Sequence, residues 1–192
     1  YTLDEVTKIL NRFKGQDAFT CSFLTSCFTG MRTGEVFALT WEDIDLENQI
    51  IHIKHSIYDK VKDENGRWYI GTTKTISGTR DVYISSTLLL ALKNYKRKQD
   101  YLKKIYGKKY IYYHTEEVRN NYGKVIETRI VKNKKGYKYD SNIDLVFVKD
   151  NGNYVGTDLI RYPFKIIRNE LGFKHCRFYD LRGSYATKIL NN

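Results

Sequence analysis

The chain has 192 residues, 41% of them hydrophobic and 15% aromatic, with 33 Lys and Arg against 22 Asp and Glu for a formal net charge of +11. That length suits one domain with a real core, and no apolar run reaches the ~18 residues that a membrane-spanning helix needs. The three cysteines, Cys21, Cys27 and Cys176, stand in no CxxC spacing. This argues against a zinc site or a disulfide framework and for small core residues in a reducing compartment.

In chain order, Thr2-Leu3-Asp4-Glu5 reads as a capping box with Tyr1 and Val6 as its hydrophobic staple, opening a helix to about Phe13. A second helix over residues 16–29 is apolar nearly all round, through Phe19, Cys21, Phe23, Leu24 and Phe28, and belongs at the centre of the core. Gly30 is its C-cap. Arg32 follows on a glycine-flanked bend, ahead of a short helix over residues 35–39. Residues 41–45 read as a turn, and Ile50, Ile51 and Ile53 as a strand. A turn at Asp63-Glu64-Asn65-Gly66 precedes a strand through Trp68 and Ile70. Lys74 lies in Thr72-Thr73-Lys74-Thr75, and a third strand passes through Val82 and Ile84. Together these predict a three-stranded antiparallel sheet with Lys74 on its second hairpin.

Ser86 is placed to cap a long helix whose apolar positions Leu88, Leu89, Leu92, Tyr95 and Leu102 repeat at helical spacing. From about 107 to 140 the pattern turns Tyr-, Lys- and Asn-rich, with alternation over 125–131 and again over 137–139, and reads as an inserted β-hairpin. Residues 144–148 read as a strand and Asn151-Gly152 as a turn. Thr157 can cap a further helix, which Pro163 kinks or restarts and Gly172 ends. A last helix carries Leu181, Tyr185 and Ile189 on one face with Arg182 beside it. The class is mixed α+β, mainly helical, with no second domain.

The charge excess is local. Residues 93–139 hold fifteen Lys and Arg against four acids, an excess equal to that of the whole chain, and nine of its seventeen tyrosines. Such a concentration marks a polyanion-binding surface. Lys108, Lys109, Lys124, Arg129, Lys132, Lys134 and Lys135 are its candidate DNA contacts, suited to backbone neutralisation. Arg32 and Arg182 have matching settings, in Thr29-Gly30-Met31-Arg32-Thr33-Gly34-Glu35 and Tyr179-Asp180-Leu181-Arg182-Gly183-Ser184. Two planar forks converging on one point would grip the oxygens of a phosphate. Each has a plainer reading alone, Arg32 as a partner of Glu35 and Arg182 as a partner of Asp180 or a distant carboxylate.

These two motifs, with the hairpin lysine between them, resemble the tyrosine recombinase (phage integrase) family, and within it the integrases of conjugative transposons of Gram-positive bacteria. The resemblance implies that family's catalytic-domain fold and site-specific DNA cleavage and rejoining through a 3′-phosphotyrosine intermediate. Arg32 and Arg182 would hold the non-bridging phosphate oxygens, Lys74 would protonate the departing 5′-hydroxyl, and Glu35 would support Arg32. Tyr179 stands where the family usually has histidine. A phenol donates a hydrogen bond but is a poor base near neutral pH, so Tyr179 would position rather than move protons. No metal or nucleotide cofactor is implied.

The implied partners are double-stranded DNA at transposon ends and crossover sites, other protomers in a recombination tetramer, and an accessory excision factor, all in the bacterial cytoplasm at the nucleoid. The nucleophilic tyrosine and the N-terminal DNA-binding domains are expected outside residues 1–192, so this stretch alone is expected not to cleave. A non-catalytic DNA-binding module of the same fold, or a type IB topoisomerase, remains as an alternative.

Overall fold

The computed structural model describes residues 1–63, 66–72, 79–173 and 177–182, without the side chains of 61–63 and 66. Lys74 lies outside the described residues, as do His175, Cys176 and everything after Arg182.

The first helix, α1 (Leu3–Arg12), opens on the expected reciprocal cap. The Glu5 backbone N–H donates to Thr2 Oγ1 at 3.2 Å, and the Thr2 N–H donates to Glu5 Oε2 at 2.8 Å. Helix α2 (Asp17–Thr29) buries Phe19, Cys21 and Phe23 together with Ser22, Thr25 and Thr29. Those three hydroxyls donate to carbonyls three or four residues back, at 2.8, 2.9 and 2.6 Å, so these three enter the core already satisfied. Gly30 closes α2 at φ 62°, a left-handed conformation that glycine adopts without a Cβ penalty. Phe13, Phe19, Phe23 and Phe164 pack edge-on or tilted in one chain of rings.

Helix α3 (Thr33–Phe37) is followed by a 3-10 turn at Trp41–Asp43 and by strands β1 (Ile44–Asp45), β2 (Ile50–Ile53), β3 (His55–Asp63), β4 (Gly66–Thr72) and β5 (Arg80–Tyr83). A small three-stranded antiparallel sheet is present, but its order is β1-β2-β5, with Ile51 opposite Val82. The strand through Trp68 and Ile70 does not belong to it. β4 pairs with β3 and with a strand of the insertion, Val125–Lys132, because Ile57, Trp68, Ile70 and Ile130 share a buried face.

Helix α4 (Ser86–Tyr106) is capped by Ser85, one residue earlier than the sequence suggests. It buries Leu88, Leu92, Tyr95 and Gln99. The insertion is a hairpin of β6 (Tyr113–Arg119) and β7 (Val125–Lys132), flanked by β8 (Asn142–Ile143), in a second sheet ordered β3-β4-β7-β6-β8. The second arm of the hairpin thus lies upstream of β7, and 137–139 is not a strand. β6 carries polar residues on both faces, which hides its alternation.

Residues 145–148 are buried, but the run from 144 to 148 forms only a single bridge, Leu145 with Thr40, instead of a ladder. Side chains of α4 hold this run instead. Gln99 Nε2 donates to the Leu145 carbonyl at 3.2 Å and the Tyr95 hydroxyl to that of Val148 at 3.2 Å. A 3-10 turn at Gly156–Ile160 leads into α5 (Arg161–Asn169), with Pro163 in its first turn, where a missing N–H costs nothing. No described helix is long and apolar enough to cross a membrane.

Candidate functional site

Arg32 sits at the N-cap of α3, with extended backbone angles (φ −68°, ψ 151°), and Glu35 at the third helical position reaches back to it. The Arg32 backbone N–H donates to Glu35 Oε2 at 2.8 Å, and its Nη1 donates to Oε1 at 2.8 Å. Arg80, at the start of β5, approaches the same carboxylate as a fork, with Nη2 2.9 Å from Oε2 and Nη1 3.3 Å from Oε1. Glu35 is 2% exposed. Burial alone would raise its carboxyl, but the hydrogen bonds from Arg80 and from the backbone and side chain of Arg32 outweigh that, and it is held below its ordinary value of 4.5. The carboxylate therefore stays ionised and fixes both guanidinium groups. The Arg32 side chain is 46% exposed, so donors beyond those spent on Glu35 remain accessible.

The glycines of this motif have geometric reasons. Gly30 makes the left-handed turn out of α2. A Cβ on Gly34 would lie 2.4 Å from Ser56 Oγ and 2.8 Å from the Ile57 carbonyl oxygen, so α3 can seat on the start of β3 only with glycine there. The far end of α3 is held as well: the Tyr154 hydroxyl donates to the Phe37 carbonyl at 2.7 Å.

The second arginine segment comes to α3 through aromatic packing. A 3-10 turn at Phe178–Asp180 places the buried Phe178 ring 5.7 Å from Phe37 and 5.9 Å from Phe164. Asp180 is engaged by Arg177, through its backbone N–H and side chain at 3.0 Å, and these bonds hold its carboxyl below the ordinary range. Its partner is thus not Arg182, and among the described residues no carboxylate pairs with Arg182. Instead the Arg182 guanidinium lies 5.7 Å from the centroid of the Tyr179 ring. An exposed phenol beside a half-buried guanidinium fits a positioning role.

The structure thus ties the segments carrying Arg32, Glu35, Tyr179 and Arg182 to one another, while Lys74 is outside the description. Arg80 was not legible in the sequence. It follows the lysine loop as one basic residue among 33, and only the fold brings it to Glu35.

Of the basic candidates on the insertion, Lys108, Lys109, Lys124, Lys132, Lys134 and Lys135 are exposed. Arg129 is half-buried, with its guanidinium 5.4 Å from the centroid of Tyr69. A depression of about 780 Å³ lined by Phe19, Tyr106, Leu159 and Pro163 includes none of the candidate residues.

The fold is that of a tyrosine recombinase catalytic domain. The phage integrase family model matches residues 2–192, and the chain belongs to that family. It is 28% identical over 191 residues to a tyrosine recombinase XerC-like protein of Caldanaerobacter subterraneus subsp. tengcongensis, covering 97% of this chain and 42% of the relative. It is 40% identical over 65 residues to the integrase of Staphylococcus phage L54a, covering 34% of this chain and 18% of that integrase. The chain therefore spans less than half the length of these relatives.

Among solved structures, the Tn1549 transposon integrase in complex with a circular intermediate DNA superposes with a TM-score of 0.65 at 17% identity, over 100% of this chain and 52% of that one. XerA recombinase does so with a TM-score of 0.57 at 16% identity, over 100% and 50%.

Proposed function

We propose that the full-length protein is a site-specific DNA recombinase acting on the ends and crossover site of a transposon. In this reading Arg32 and Arg182 hold the non-bridging oxygens of one scissile phosphate and stabilise the charge of the in-line transition state. Lys74 delivers a proton to the 5′-hydroxyl as it leaves. Tyr179 braces Arg182, while Glu35 and Arg80 keep the Arg32 turn rigid. The nucleophilic tyrosine is assigned to a segment outside residues 1–192, so cleavage belongs to the longer protein.

The observation that carries this reading is the buried Glu35 carboxylate. It is costly to bury and is compensated by the Arg80 fork and by holding Arg32 through both backbone and side chain. Support for the substrate comes from the basic insertion and from the DNA bound in the Tn1549 integrase complex. The basic, tyrosine-rich insertion is assigned to DNA flanking the cleavage point.

The test is a nicked suicide duplex with full-length protein. Wild type is expected to trap a covalent adduct, and Arg32→Lys and Arg182→Lys to lose it. Binding without any adduct from wild type would instead favour a DNA-binding module that kept the fold.

A further inference from the structure

The tip of the insertion is built as a rigid turn. Asn120 Oδ1 accepts from the backbone N–H groups of Tyr122 and Lys124, both at 3.0 Å, and the Gly123 N–H donates to the Asn120 carbonyl at 2.9 Å. Arg119 Nη1 closes the turn from the side, donating to the Gly123 carbonyl at 2.8 Å. At its apex Tyr122 is 94% exposed, and Ile126 beside it is 54% exposed. A tyrosine held in solvent by a fixed turn gains nothing for folding. It loses little conformational entropy when it meets a partner.

Strand register says where this tip points. β4 and β7 are antiparallel, with Tyr69 opposite Arg129 and Ile70 opposite Thr128, so the Thr72 end of β4 and the Val125 end of β7 coincide. β3 begins at that same end, with His55 opposite Thr72, and there α3 seats on Ser56 and Ile57 through Gly34. The tip and the Arg32–Glu35 turn therefore project from one end of one sheet. Two strand spacings across and a few residues along put them about 20 Å apart, about six base pairs of duplex at ~3.4 Å each.

Charge selects the partner. The acids of the hairpin are each engaged within the sheet: Glu116 with His114, Glu117 with Arg119 and Glu127 with Lys60. Lys124 at the turn is exposed and is not ion-paired among the described residues, which leaves an unbalanced cation at the tip.

We infer that the Asn120–Lys124 turn is a wedge for the same duplex, resting on the recombinase reading above. It enters a groove about six base pairs from the cleaved phosphate. There Tyr122 packs against a base step, loosening its stacking as apolar wedges on other DNA-bending proteins do, while Lys124 meets the backbone.

The test uses full-length protein and duplexes carrying 2-aminopurine at single positions three to nine base pairs from the scissile phosphate. Wild type is expected to raise fluorescence at one or two adjacent positions. Tyr122→Ala is expected to abolish that rise and weaken binding about tenfold with an unchanged melting temperature, and Tyr122→Phe to retain both. Arg32→Lys is expected to lose the covalent adduct but keep the fluorescence signal, which separates the wedge from the pocket. No rise at any position with wild type would overturn the inference. So would a Tyr122→Ala variant that binds and reports normally, or one that loses only multi-protomer assembly, the mark of a protein contact.

Discussion

Phe178 lies against Phe37 with ring centroids 5.7 Å apart, and this contact joins residues 141 positions apart in the chain. Phe37 ends the helix that begins at Arg32, and Phe178 opens the turn that leads to Arg182. Two cationic segments from opposite ends of the sequence are thus held together by apolar burial, which electrostatic repulsion between them would otherwise oppose.

Truncating Phe178 to alanine should therefore cost about 3–5 kcal/mol of stability, as buried aromatic truncations do, with Phe178→Leu milder. Under conditions where the alanine variant remains folded, adduct formation by the full-length protein should still fall by at least about tenfold, because small displacements of positioning groups are expensive. Urea unfolding and single-turnover cleavage, measured together, check both parts.

Glu35 predicts a pH dependence of stability. Its carboxyl is lower in the folded protein than its ordinary value of 4.5. The stabilisation is therefore complete above that value and is lost as pH falls through the lowered folded one. Glu35→Gln should cost about 2 kcal/mol at neutral pH, after discounting for the exposed side of Arg32. The gap between variant and wild type should narrow as pH falls from 4.5 through the lowered folded value of Glu35. Thermal melts across pH 3–8 would reveal a constant gap if the ion pairs did not matter.

Arg80 separates support from chemistry. Arg80→Gln removes the fork that most lowers the Glu35 carboxyl, so the acid limb of the stability profile should move to higher pH. Cleavage should suffer less than in Arg32→Lys, because Arg80 acts through Glu35. Equal loss of cleavage in the two variants would place Arg80 on the phosphate itself.

The insertion lysines predict a salt effect. Replacing Lys132, Lys134 and Lys135 with alanine should flatten the dependence of log binding constant on log salt by up to about 3, close to one for each phosphate no longer neutralised. Titrations of full-length protein between 50 and 300 mM salt measure this, and an unchanged slope would remove these residues from the DNA interface.

Much of this was legible in the sequence, for local reasons. The Thr2–Glu5 cap, the all-round apolar α2 and the Gly30 turn depend on neighbours within a few residues, and they appear where the sequence puts them. The Arg32–Glu35 pair spans three positions and was equally visible. Sheet membership was not, because β4 had to choose between β5 and the insertion, and that choice rests on the buried face that Trp68 and Ile70 share with Ile130, some sixty residues away. β6 is hidden in the sequence because His114, buried under Tyr139, fills a position where alternation would demand an apolar residue. Arg80 acquires its meaning only from the burial of Glu35, which no local pattern announces.

The claim that Arg32 and Arg182 neutralise a common phosphate is tested most directly by removing the charge they are meant to meet. A suicide duplex with a methylphosphonate at the cleavage position lacks one charged non-bridging oxygen. On ordinary phosphate, Arg182→Ala in the full-length protein should cut at least about a hundredfold more slowly than wild type, and on methylphosphonate the two should differ by less than about tenfold. An equally large defect on both substrates would contradict the account.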